Sequence, residues 1–96
     1  MSMTIAEFQQ LIRDRYFDTD SARGAARTFL WFTEEIGELA EAIARAERGD
    51  GDVENLREEF ADVFAWLTTL ANVCDVDMTD AVERKYIRDG GPPGTK

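Results

Sequence analysis

The 96-residue sequence contains no histidine and a single cysteine, Cys74. The absence of histidine excludes imidazole metal ligands, imidazole general bases and the Ser-His and Cys-His pairs of nucleophilic hydrolases. One cysteine cannot form an intrachain disulfide, which fits a reducing compartment. Any chemistry carried by this chain must therefore rest on carboxylates, hydroxyls, amides and a few basic groups.

Positive charge is also scarce, because 11 lysines and arginines face 20 aspartates and glutamates, for a net charge of −9. This balance disfavours electrostatic binding to nucleic acid polymers and to anionic membranes. No apolar run approaches the roughly 18 residues that a membrane span needs, and no basic segment followed by an apolar stretch opens the chain. We therefore expect a cytoplasmic protein that binds neither nucleic acid polymers nor membranes.

The sequence also lacks the alternating apolar pattern of strands, and its apolar residues recur at helical spacing instead. The predicted helices cover residues 4–16, 25–48, 53–74 and 78–88. The segment "FDTDSARGA" is expected to interrupt the helical pattern between the first two. We predict an all-α, four-helix domain over residues 1–89 and a disordered tail at residues 90–96. A chain this short buries a modest core by itself, so we expect oligomerisation to complete the domain.

An acidic sequence pattern occurs twice in this chain. The stretch "TEEIGELAEAI" at residues 33–43 corresponds to "EEFADVFAWL" at residues 58–67, with an offset of 24 positions. Glu35 corresponds to Glu59 and Glu38 to Asp62, and in both segments the acids border a stripe of apolar residues. Two helices therefore carry the same acidic and apolar faces.

The "GDGD" run at residues 49–52 predicts a tight turn, with Asp52 as the N-cap of the next helix. Short connections favour antiparallel helix pairs, in which residues whose numbers sum to about 97 lie at the same height. The pairs predicted to face each other are Glu38 with Glu59, Glu35 with Asp62, and Trp31 with Trp66. A slip of one helical turn would alter these pairings.

Four converging carboxylates repel one another unless they bind protons or cations. With oxygen ligands alone, Mg²⁺ or Mn²⁺ is favoured over zinc or copper, and the absence of Glu-x-x-His pairs argues against oxygen-activating di-iron sites. Mg²⁺ held by a few carboxylates keeps positions open for substrate phosphates. The alternative is an ordinary acidic helix face exposed to solvent.

The stretches "TFLWFTEEIGELAEAI" and "EEFADVFAWLTTLANVCDVD" resemble the MazG-like branch of the all-α nucleoside triphosphate pyrophosphohydrolases, whose signature is E-E-x-x-E followed by E-x-x-D. The resemblance implies Mg²⁺-dependent hydrolysis of nucleoside triphosphates to the monophosphate and pyrophosphate, in a helical core completed by dimerisation or tetramerisation. It implies that the metal ligands are Glu35, Glu38, Glu59 and Asp62. Glu34 would support these ligands or orient the attacking water, so that the catalytic carboxylates are Glu34, Glu35 and Glu38.

The same resemblance suggests substrate contacts elsewhere in the chain. Lys85 and Arg88 belong to a basic segment near the end of such domains, and Arg23 lies where relatives carry an arginine-glycine pair. Trp31 and Trp66 are candidates to stack on a nucleobase. The alternatives are a subunit contact for the tryptophans and ordinary surface charge for the basic residues.

Two other kinds of function remain compatible with the sequence. A helical interaction module would use the acidic face to bind a basic partner, and a non-enzymatic bundle would bind the metal without turnover. The base and the sugar of a nucleotide substrate are left open, because pocket shape decides them.

Overall fold

The computed structural model describes residues 2–94 and contains helices without strands over that range. The four α-helices are α1 (Ile5–Arg23), α2 (Ala25–Arg48), α3 (Val53–Val73) and α4 (Met78–Val82). A π-helical turn at Glu83–Ile87 and a 3-10 turn at Arg88–Gly90 follow α4. The all-α prediction is confirmed, although the predicted fourth helix leaves α geometry at its midpoint. Thr95 and Lys96, the end of the predicted tail, lie outside the described residues.

Helix α1 is longer than its sequence predicts. It begins at a capping box, in which Thr4 Oγ1 accepts from the Glu7 N–H at 3.0 Å and Glu7 Oε1 accepts from the Thr4 N–H at 2.8 Å. The prediction that it ends near residue 16 is wrong, because the helix continues to Arg23. The segment after residue 16 is polar but holds no proline or glycine before Gly24. Gly24, at φ +87°, ends the helix.

Helices α2 and α3 form the antiparallel hairpin that the turn predicts. Gly49 ends α2 in the left-handed conformation at φ +84°, and Asp52 caps α3 by accepting from the Glu54 N–H at 2.9 Å. The ring centroids of Trp31 and Trp66 lie 5.7 Å apart in an edge-to-face arrangement. The predicted register is therefore confirmed at this height of the hairpin.

Helix α1 packs mainly on α3, where the rings of Phe8 and Phe64 lie 5.5 Å apart. The side chain of Gln9 ties α1 to the segment between α3 and α4. Its amide nitrogen donates to Asn72 Oδ1 at 3.0 Å and to the Val76 carbonyl at 2.7 Å, and its amide oxygen accepts from the Met78 N–H at 3.0 Å. These bonds fix the start of α4 against α1.

The apolar core within one chain is thin. Among the described residues, the buried apolar side chains are Ile12 and Ala42. Much of the apolar side of the hairpin stays exposed, including Phe29, Ile36, Ile43, Phe60 and Leu67. None of the helices in the described part of the chain is long and apolar enough to cross a membrane. A single chain therefore leaves much of its apolar surface in water.

Candidate functional site

Three of the repeated carboxylates converge across the α2–α3 hairpin. Glu35 and Glu38 lie one turn apart on α2, and Glu59 projects from α3. Each offers a carboxylate oxygen, and these three oxygens all lie within 4.8 Å of one another. Glu35, Glu38 and Glu59 are called the carboxylate cluster below. The convergence follows from the hairpin register, because Glu38 and Glu59 lie at the same height.

Two oxygens of the carboxylate cluster are buried without a hydrogen-bond partner among the described residues. They are Glu35 Oε2 and Glu59 Oε2. Most buried polar atoms in folded proteins have such a partner, because removing them from water without one costs free energy. The two oxygens are therefore available to an additional donor or to a cation.

Burial and mutual repulsion favour protonation within the carboxylate cluster. The pKa of Glu35 is raised to about 7, first by desolvation, then by a hydrogen bond with Glu38 and by the charges of Glu38, Asp62 and Glu59. A hydrogen bond between two carboxyl groups requires a proton on one of them. The pKa of Glu59 is raised as well, by desolvation and then by the charges of Glu38, Asp62 and Glu58. The cluster therefore attracts a proton or a cation.

The donor set of the carboxylate cluster fits a hard divalent cation. All of its candidate ligand atoms are carboxylate oxygens, and such atoms suit Mg²⁺, Mn²⁺ and Ca²⁺ in preference to soft metals. The unpartnered oxygens of Glu35 and Glu59 would gain a partner and their repulsion would be relieved. Asp62, the fourth predicted ligand, lies outside the group of three but near enough for its charge to raise the pKa of Glu35.

Asp62 also belongs to the wall of a cavity of about 390 Å³ between α1 and α3. This α1–α3 cavity is lined from α1 by Ile12, Tyr16, Thr19, Asp20 and Arg23, and from α3 by Asp62, Ala65, Trp66 and Thr69. Because Asp62 lies on the cavity wall and its charge acts on Glu35, the cavity adjoins the carboxylate cluster.

Arg23 places a positive charge beside this cavity. Its side chain is only 10% exposed, its Nη2 donates to Asp20 Oδ1, and its Nε donates to Thr28 Oγ1 at 3.0 Å. The guanidinium carbon lies 4.8 Å from the ring centre of Trp31 and 5.1 Å from that of Trp66. Residue spacing alone does not predict this position of Arg23 beside the cavity. Its contacts join α1, on which it lies, to α2 and α3.

The other predicted substrate contacts have different positions. Trp66 lines the cavity. Trp31 is 46% exposed and does not line it, but its ring contacts Arg23 and Trp66, which do. Glu34 lies on the open surface beside Glu38 and Glu59. Lys85 and Arg88 are exposed on the segment after α4 and do not line the cavity. Within one chain the structure does not bring these two bases to the carboxylates, and their role stays a prediction.

Comparison with known proteins agrees with this arrangement. The model of the MazG nucleotide pyrophosphohydrolase domain matches residues 23–88, which include α2, α3 and the whole carboxylate cluster. Among curated proteins, none matches the chain. The match extends over more than half of the 96 residues. With its all-α fold and its paired acidic helices, the chain belongs to the MazG nucleotide pyrophosphohydrolase domain family.

Proposed function

We propose that this protein hydrolyses nucleoside triphosphates to the monophosphate and pyrophosphate in the presence of Mg²⁺, and so removes unwanted nucleotides. The observation that carries the proposal is the carboxylate cluster, with two buried and unpartnered oxygens, inside a MazG domain. We assign the activity to residues 1–89 and to the cytoplasm. The net charge of −9 supports a small-molecule substrate over a nucleic acid polymer.

Glu35, Glu38, Glu59 and Asp62 are the residues that would hold the cation, with Mn²⁺ as a substitute for Mg²⁺. When bound, the cation supplies positive charge that the acidic chain lacks and that the triphosphate oxygens require. Asp62 would link this cation site to the α1–α3 cavity, because it also lines the cavity wall.

The hydrolysis needs a positioned water and no covalent nucleophile. An oxygen–phosphorus bond forms between water and the α-phosphorus, the bond from the α-phosphorus to the bridging oxygen breaks, and pyrophosphate leaves with the bonding electrons. A carboxylate among Glu34, Glu35 and Glu38 holds the water and accepts its proton.

The nucleoside part of the substrate belongs in the α1–α3 cavity. Trp66 offers an aromatic face there, and Trp31 supports it edge-on at 5.7 Å. Lys85 and Arg88 are proposed as additional contacts to the substrate. Their alanine variants test this, since a contact to the phosphates would raise KM for every nucleotide by a similar factor.

A second copy of the chain is proposed to cover the apolar side of α2 and α3, giving a homodimer or homotetramer. The thin core and the exposed Phe29 and Phe60, each 55% exposed, support this. Light scattering coupled to size-exclusion chromatography measures the oligomeric state directly. We expect Phe60→Glu to lower the mass of the particle, whereas Val53→Glu, at another exposed apolar position near the start of α3, should leave it unchanged.

The activity is tested by separating the products formed from a panel of ribo- and deoxyribonucleoside triphosphates, with and without Mg²⁺. We expect monophosphate and pyrophosphate that require both Mg²⁺ and Glu38, and therefore disappear in Glu38→Gln. Glu47→Gln, an exposed glutamate further along α2, is the matched control and should retain activity.

Binding of Mg²⁺ measured by calorimetry separates the failures of this proposal. Glu38-dependent Mg²⁺ binding without turnover on any nucleotide would identify a non-enzymatic metal-binding module. Indifference to Mg²⁺ would indicate an acidic interaction module that binds a basic partner.

A further inference from the structure

Asp20 is a buried carboxylate that the proposed hydrolysis does not use. Its side chain is 8% exposed, and it lies on the wall of the α1–α3 cavity. It also lies in the last turn of α1, which ends at Arg23. Negative charge is disfavoured both by burial and by the partial negative charge at a helix C-terminus. Asp20 is held there by its ion pair with the buried Arg23, since removal of either partner would leave the other charge unpaired.

The compensation that Asp20 receives is incomplete. Arg23 Nη2 donates to one carboxylate oxygen, Oδ1, while Thr28 holds the guanidinium through Nε. The other oxygen, Oδ2, accepts no hydrogen bond from residues 2–94, and it is not among the buried atoms that are sealed from solvent. Asp20 lines the cavity, and Oδ2 is its carboxylate oxygen that is left without a donor among these residues.

This acceptor shares its cavity with Trp66, the aromatic face proposed for the nucleoside. Asp62, Trp66 and Thr69 follow one another along the cavity face of α3, and the seven steps from the first residue to the last correspond to a rise of roughly 10 Å. With the phosphates at the carboxylate cluster, the nucleoside lies along this face. Asp20 lies on the facing wall, on α1, and the guanidinium of its partner Arg23 lies 5.1 Å from the ring centre of Trp66.

We propose that Asp20, held in place by Arg23, is a specificity-determining residue whose Oδ2 accepts a hydrogen bond from the nucleoside part of the substrate. The donor is an N–H group of the base or a hydroxyl group of the sugar. This inference rests on the proposed function. A site built around a buried acceptor discriminates against analogues that lack the matching donor, because they leave the acceptor unpaired.

The Asp20→Asn variant tests the proposal, because it changes the hydrogen-bonding group with little change in shape. Arg23 is a donor, so the amide oxygen of the new side chain turns toward it and the amide NH₂ faces the cavity. The acceptor is thereby replaced by a donor. For the preferred nucleotide, kcat/KM should fall by about 10- to 100-fold, while nucleotides without the donor should lose much less.

The panel of nucleotides identifies the donor. Collapse of the preference between ribo- and deoxyribonucleotides of one base assigns the bond to a sugar hydroxyl, whereas collapse of the preference among bases assigns it to a base N–H. Asp20→Glu, which keeps the charge but moves the oxygen by one methylene, should re-rank the nucleotides as well. Asp18→Asn, an exposed position on α1, is the control and should preserve the ranking.

An equal loss for every nucleotide in Asp20→Asn, or no loss, would overturn the inference and leave Asp20 a structural role. Failure of the proposed function is recognised separately, because the parent protein would then turn over no nucleotide. In that case nucleosides alone are titrated without metal, with the combined fluorescence of Trp31 and Trp66 as the signal. Selective binding that Asp20→Asn re-ranks supports the inference, and absence of any nucleoside binding overturns it.

Discussion

The hydrogen bond between Thr28 and Arg23 permits a stability prediction with a defined magnitude. Thr28 is fully buried at 0% exposure, and its hydroxyl oxygen accepts from Arg23 Nε at 3.0 Å. Valine has nearly the shape of threonine, so Thr28→Val removes the acceptor without opening a cavity. The guanidinium is charged and 10% exposed, and the loss of such a bond costs about 1.5–3 kcal/mol. We expect the free energy of unfolding to fall by this amount.

Urea denaturation followed by circular dichroism measures the change, at one fixed protein concentration because association would add to the stability. The control is Thr33→Val in the same helix, where an exposed hydroxyl donates to the Phe29 carbonyl at 2.9 Å. This variant should change the free energy of unfolding by less than about 0.5 kcal/mol. If Thr28→Val costs no more than the control, the buried bond to Arg23 does not hold the guanidinium, and the argument about Asp20 loses its support.

Three further outcomes are expected. Glu35 binds a proton more tightly in the folded protein than in the unfolded chain, because its pKa is raised to about 7. Its contribution to the free energy of unfolding is therefore fully present below its ordinary pKa and is lost as the pH rises through about 7. Thermal melts in the presence of a chelator should therefore show a Tm that falls as the pH rises through this window, and Glu35→Gln should reduce that fall. An unchanged slope of Tm against pH in the variant would show that Glu35 is not its cause. Gly51→Ala should lower the free energy of unfolding, measured by urea denaturation, by more than about 1 kcal/mol. The added Cβ would lie 2.8 Å from the backbone nitrogen of Ala46. Gly37→Ala, with open space around it in one chain, should stabilise α2 by about 0.5–1 kcal/mol, and a loss of stability instead would mean that another chain packs closely there.

The hairpin was predictable because its determinants are local in sequence. Gly49 and Asp52 fix the turn, and the repeated acidic pattern fixes which faces meet. The pairing of Trp31 with Trp66 and of Glu38 with Glu59 then follows from helix geometry. The candidate site was therefore predictable in outline, as a convergence of carboxylates between two helices.

The length of α1 and the surroundings of Arg23 were not predictable in the same way. Aspartate, threonine and serine after residue 16 weaken a helix locally, but tertiary packing of α1 on α3 outweighs this preference. The burial of Asp20 and Arg23 depends on contacts among α1, α2 and α3 that no local spacing encodes. The sequence likewise indicates apolar stripes on α2 and α3 without indicating how much of each one chain leaves uncovered.

The wall of the α1–α3 cavity is divided between a part of the chain inside the family match and a part outside it. The family match begins at Arg23, so the carboxylates of α2 and α3 fall inside it, while Tyr16, Thr19 and Asp20 fall outside. The carboxylates proposed to hold the cation and the α1 residue proposed to select the nucleoside, Asp20, are thus carried on separate helices. Under the proposed function, exchanging α1 between related chains should change the preference for the nucleoside while leaving the carboxylates of α2 and α3 in place.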